Sequence, residues 1–144
     1  MVKLLAVMVL LLTSTSGLAA AIKCDGAKGK FSFEKSELYG GSVEAVLTVM
    51  RRGKSTILRF HDDWVGLECR KTKSGKRLFV FQAYCGGSKC LDLDNFGIID
   101  PVELRVLLVP SDHNRQQARE ILELNSEPAQ VRKMQNAWER QSAR

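Results

Sequence analysis

The sequence predicts an α+β domain: a small antiparallel sheet of about five strands with one or two C-terminal helices, disulfide-bonded and preceded by a cleaved signal peptide. Three observations carry that prediction. Apolar residues recur at period two from Val43 to Val49, and paired strand-like segments continue to Tyr84 with polar, glycine-containing turns between them. The period changes to that of a helix from Ala118 to Trp138. Four cysteines follow a leader of secretory pattern.

The leader comes first in the chain. Lys3 supplies a positive start, Leu4 to Leu12 an apolar run, Thr13 to Gly17 a polar patch, and Leu18-Ala19-Ala20-Ala21 small residues spaced for cleavage. Cleavage is expected after Ala21, with Ala19 the next best position. Removing residues 1–21 from the 144 leaves 123, a single exported domain over residues 22–144. Lys23 stands before Cys24, where an acylated lipoprotein cysteine needs a small residue. No later run approaches the roughly eighteen apolar residues of a membrane helix, so no span is expected. The expected compartment is the periplasm in a diderm bacterium and the extracellular space otherwise.

Export makes bridging the expectation for Cys24, Cys69, Cys85 and Cys90. Four cysteines allow three pairings. The preferred one joins Cys85 to Cys90 across Gly86-Gly87-Ser88-Lys89 and ties Cys24 to Cys69. A four-cysteine zinc site would need two CxxC knuckles, and the spacing has none.

The elements follow in order. Lys30 to Phe33 is a short strand. After Gly40-Gly41, Val43, Ala45, Leu47 and Val49 alternate, Arg52-Gly53-Lys54 turns, and Thr56 to Phe60 returns as a hairpin. A second hairpin runs from Leu67 to Lys71, through Thr72-Lys73-Ser74-Gly75-Lys76, and back along Leu78 to Tyr84. That last run is apolar on both faces, as a strand covered on both sides is, and the tail is the natural second cover. Leu104 to Val109 is another buried strand ended by Pro110. Ser111-Asp112 offers a cap for a helix with Ala118, Ile121 and Leu122 on one face. Pro128 opens a second helix, over residues 128–144 with a frayed end, in which Val131, Met134 and Trp138 share a stripe.

Charge narrows function. Of 22 basic residues against 16 acidic, only Lys3 lies in the leader, so the exported chain keeps a net charge near +5. Much of the excess falls between Arg51 and Arg77, and such clusters attract polyanions. Arg51, Arg52, Lys73, Lys76 and Arg77 form the expected basic binding rim, with Ser88 and Lys89 displayed at the tip of the bridged loop.

Two further chemistries are written into the sequence. His61, followed by Asp62 and Asp63, supplies the elements of an oriented general base, with Ser88 as the nucleophile of a triad; no G-x-S-x-G elbow accompanies them. Asp92, Asp94, Gly97, Ile99, Asp100 and Glu103 occupy positions 1, 3, 6, 8, 9 and 12 of a calcium-loop frame. Phe96 fills the fifth position, where an oxygen ligand belongs, and Pro101 sits where the outgoing helix begins. The preferred reading of the same residues is a structural turn, with Asp94-Asn95 and Asp100-Pro101 as bends.

The expected function is therefore a non-enzymatic exported binding or accessory protein with no cofactor, recognising an envelope or extracellular protein or an acidic polymer. Export argues against nucleic acid. The alternatives are a small hydrolase using His61 with Asp62 or Asp63, and a calcium-steadied module at 92–103.

Overall fold

The computed structural model of the chain describes residues 20–36, 42–84, 95–137 and 139. Among them the chain is mostly β: nine strands and one short helix, with the strands in two antiparallel sheets. The first sheet runs β1 (Ile22–Cys24), β2 (Ala27–Lys35), β3 (Val43–Arg51) and β4 (Lys54–Phe60) in that order. The second comprises β5 (Trp64–Lys71), β6 (Arg77–Tyr84), β7 (Phe96–Asp100), β8 (Arg105–Leu108) and β9 (Met134–Asn136), with order β8-β7-β6-β5-β9. The helix, α1, is Arg115–Ile121.

The α+β expectation is thus corrected to a two-sheet β architecture. Three segments account for the difference. The front of the chain forms two strands where one short strand was expected, because the hairpin turn Asp25-Gly26 lets Ala27, Gly29, Phe31 and Phe33 alternate inward against Lys28, Lys30, Ser32 and Glu34. Phe96 to Asp100, expected as a turn, is instead a fully buried strand paired with β6. Pro128 to Lys133 runs without regular structure and then adds β9 to the edge of β5, where a second helix was expected. The Val131/Met134 spacing mimics a helical stripe, but Val131 is buried from a segment without regular structure.

The two central hairpins form where the alternation put them, β3 pairing β4 and β5 pairing β6. Their inner faces build one core: Ala27, Phe31, Ala45, Leu47 and Val49 from the first sheet against Val65, Leu67, Phe79, Phe81, Ala83 and Ile99 from the second. The disulfide Cys24–Cys69 crosses between the sheets. Cys85 and Cys90 lie outside the described residues.

Strand β6 is buried on both faces, as its unbroken apolar run requires. Its outer side, Leu78 and Val80, packs with Phe96, Ile98, Ala118, Leu122 and Val131 in a second cluster formed under α1 and the tail. Gly66 makes the tail's approach possible, since a Cβ there would lie 2.4 Å from Met134 Sδ and 2.9 Å from the Lys133 carbonyl oxygen. Buried polar groups tie these layers. Gln82 Oε1 accepts from the Val131 N–H at 2.7 Å. Asn114, which caps α1 in place of Ser111-Asp112, sends its side chain away from the helix. Its Oδ1 accepts from the Phe96 N–H, while Nδ2 donates to the Phe96 and Val109 carbonyls. Among the described residues no helix is long and apolar enough to cross a membrane.

Candidate functional site

Antiparallel connections sort the turns to the two ends of the paired sheets. One end carries Asp25-Gly26, Arg52-Gly53, Thr72 to Lys76, and Pro101 to Leu104. Cross-connections fix these four turns together. Cys24–Cys69 joins the first strand pair to β5, and Arg51 Nη1 donates to the Val102 carbonyl at 3.2 Å. Thr56 Oγ1 donates to the Leu104 carbonyl at 2.6 Å, and Lys76 Nζ meets Asp100 Oδ2 at 2.7 Å. Loops clustered at one end of a rigid β scaffold are a common way to display binding residues.

The expected rim residues Arg51, Arg52, Lys73, Lys76 and Arg77 all belong to this end. They divide into two kinds. Lys76 is structural, because it neutralises a carboxylate whose residue is only 1% exposed. Burial pushes the Asp100 carboxyl up, but Lys76 and the N–H groups of Val102 and Glu103 outweigh it and hold the group below its usual range. Arg51 is partly structural through Val102. Arg52, Lys73 and Arg77 are exposed. Beside Lys73, Glu123 accepts from the Ser74 N–H and hydroxyl, and these bonds together with the lysine's charge hold its carboxyl low.

Between the first two turns lies a depression of about 320 Å³, lined by Gly26, Lys28, Met50, Arg51, Arg52, Gly53, Lys54 and Ser55. Lys28, Met50 and Ser55 form one row across β2, β3 and β4, with Arg51 paired to Lys54 in the next row. Asp25 and Gly26 have φ of 46° and 79°, Arg52 and Gly53 of 49° and 78°. Two consecutive left-handed residues are what the tightest hairpin turns require, and glycine or Asp suits them better than arginine does. Lys28, Lys54 and Ser55 were not among the expected site residues. The Asp-Gly hairpin signal at 25–26 would have found Lys28, since it places that residue beside the Arg52-Gly53 turn.

The other end holds the sequence's candidate base. His61 Nε2 lies 3.6 Å from Glu44 Oε1 across the sheet, so a carboxylate other than its sequence neighbours stands against it. Asp62 and Asp63 share the same connection. Burial, then the charge of Asp63, pushes the Asp62 carboxyl up, and Asp112 adds to it. Ser88 and Lys89 lie outside the described residues.

The calcium frame is divided by the fold. Asp92 and Asp94 lie outside the described residues. Gly97 sits within a strand, and Asp100 and Glu103 bracket a turn in which Asp100 is engaged by Lys76 and backbone, and Glu103 by Arg105 at 3.1 Å. Among the described residues no three His, Cys, Asp or Glu side chains are grouped to hold a metal ion.

Family models, curated proteins and solved structures were each compared with the chain, and none matches it.

Proposed function

We propose that this chain is an exported, non-catalytic binding module that captures an acidic polymer through the turn-bearing end of its paired sheets. The observation that carries the reading is a pair of exposed arginines without a carboxylate at this end. Five arginines have a carboxylate: Arg59 has Glu34 and Glu44, Arg70 has Glu68, Arg115 and Arg119 share Glu127, and Arg105, beside one of the turns, has Glu103, while exposed Arg132 in the tail has none among the described residues. At the turn-bearing end Arg52 and Arg77 have no such partner among the described residues, and both are exposed. Uncompensated charge costs little there in water and is available to an anionic partner. The disulfide and the Lys76–Asp100 pair hold the turns in place, so little order is lost on binding.

The test is to neutralise Arg52, Lys73 and Arg77 together with glutamine, leaving Lys76 and Arg51 in place as structural ties. Retention on immobilised acidic polysaccharide should drop, with elution at clearly lower salt and an unchanged melting temperature. Unchanged retention by a folded variant would overturn the proposal.

A further inference from the structure

We infer that the depression between the Asp25-Gly26 and Arg52-Gly53 turns is a subsite for a tetrahedral oxyanion ester, sulfate or phosphate, carried on a sugar of a linear glycan. This rests on the acidic-polymer reading above and names its ligand and its residues. Four cations, Lys28, Arg51, Arg52 and Lys54, line one depression with no carboxylate among its walls. None of the four is ion-paired among the described residues, and Asp25, the one carboxylate in the two turns, is exposed and pairs with none of them.

Arg51 is the fixed member. Its Nη1 is anchored on the Val102 carbonyl, while its Nε is buried with no hydrogen-bond partner. The guanidinium lies against the first turn, Nε being 3.7 Å and Nη2 3.9 Å from where a Gly26 Cβ would stand. A partly desolvated guanidinium with an unmet donor projects its charge into the adjoining space more strongly than a hydrated one. Lys28 and Lys54, both exposed, add mobile ammonium donors, and Ser55 adds a hydroxyl.

The remaining wall selects the carrier. Met50, 45% exposed, puts an apolar patch between the cations, suited to the C–H face of a sugar ring. No aromatic ring lines the depression, so the stacking platform on which single-stranded bases are held is missing from it. Rows on neighbouring strands lie about 4.8 Å apart, which sets Lys28 and Ser55 about 10 Å from each other across Met50. An ester-bearing sugar spans that width.

Arg52 carries a second mark of use. It holds a left-handed φ of 49° at a turn position where glycine is unstrained, and backbone strain of this kind collects at ligand-binding positions. Arg52→Gly should therefore raise the melting temperature while weakening glycan binding.

The experiment is calorimetric titration of the purified, disulfide-bonded protein with heparin and, separately, with a phosphorylated mannan, using Lys28→Glu/Lys54→Glu and Arg52→Gly as variants. Tenfold or greater loss of affinity in the double variant, for either glycan, supports the subsite and tells which ester it takes. Unchanged glycan affinity in the double variant overturns it. So does single-stranded DNA that binds as tightly as the glycans and loses as much in the same variant, or inorganic phosphate that displaces the glycan completely at matched phosphate concentration. If the Arg52/Lys73/Arg77 variant loses retention while Lys28→Glu/Lys54→Glu does not, the subsite fails and the acidic-polymer reading stands. If neither variant loses binding, both fall.

Discussion

Replacing Gly97 with alanine tests the packing of the central sheet most directly. Gly97 sits opposite Phe81 in the β6–β7 ladder, and a Cβ there would lie 2.1 Å from Phe81 Cζ and 2.4 Å from each Cε. Ordinary contact begins near 3.4 Å, so the ring would have to retreat by about 1.3 Å, the difference between that and 2.1 Å. Retreat is blocked: Phe81 is fully buried, its ring lies 5.7 Å from that of Phe60, and Phe60 lies 6.3 Å from Phe31. Overpacking costs about 1–3 kcal/mol where neighbours can give, and here the upper end is expected, near 3 kcal/mol. The lower entropy of alanine in the unfolded chain returns only about 0.4–1 kcal/mol of that. Urea unfolding of four proteins measures it: wild type, Gly97→Ala, Phe81→Leu and the double variant. Phe81→Leu removes the ring atoms that clash, so it should destabilise wild type but relieve Gly97→Ala, giving a coupling on the order of 1.5 kcal/mol. A Gly97→Ala cost under about 1 kcal/mol, or additivity within about 0.5 kcal/mol, would refute the reasoning.

The other predictions concern the ties between layers. Cys24 and Cys69 are 45 residues apart, and the chain-entropy relation gives about 4 kcal/mol for closing a loop of that length, so Cys24→Ala/Cys69→Ala should melt more than 10 °C lower in a thermal scan; a drop of a few degrees would contradict it. Lys76→Met should cost about 1–2 kcal/mol at neutral pH, a buried-pair penalty discounted because the lysine side chain is 49% exposed. Because the folded Asp100 carboxyl is held low, its contribution is complete above the ordinary aspartate value, about 3.9, and is lost as pH falls through the folded one, so the two proteins should converge in acid. Asp62 has the opposite sign: its folded carboxyl is raised, so ionising it costs stability as pH climbs through that value. Asp62→Asn should therefore be more stable than wild type at pH 7, with the gain lost as pH falls to the ordinary aspartate value, about 3.9; a loss of stability at neutral pH would contradict the assignment.

Where the chain's pattern is local, it was readable. Period-two alternation from Val43 through the Arg52-Gly53 turn to Phe60 specified the first hairpin, and the polar turn Thr72 to Lys76 between two strand-like runs specified the second. The two-faced burial of β6 followed from its unbroken apolar run. The Cys24–Cys69 pairing agreed with the preferred one. The excess of cations between Arg51 and Arg77 was legible as composition, though its division into structural and exposed side chains was not.

Other features needed partners distant in sequence. Gly97 reads as a turn glycine or a calcium-loop glycine until Phe81 is placed over it. Lys76 reads as one more rim cation until Asp100 arrives from β7. The Val131/Met134 spacing fits a helix, yet the free edge of β5 and the cleft at Gly66 draw that segment into β9. In each case the intrinsic preference of a few residues is worth less than the burial and hydrogen bonds offered by a surface elsewhere in the chain. The sequence by itself determined the two central hairpins and the excess of positive charge, and it offered the Cys24–Cys69 pairing as one of three. Tertiary structure alone decided that there are two sheets, that the tail pairs as a strand, and that Lys28, Arg51, Arg52 and Lys54 share one depression, because each of these depends on contacts that close only when both sheets are present.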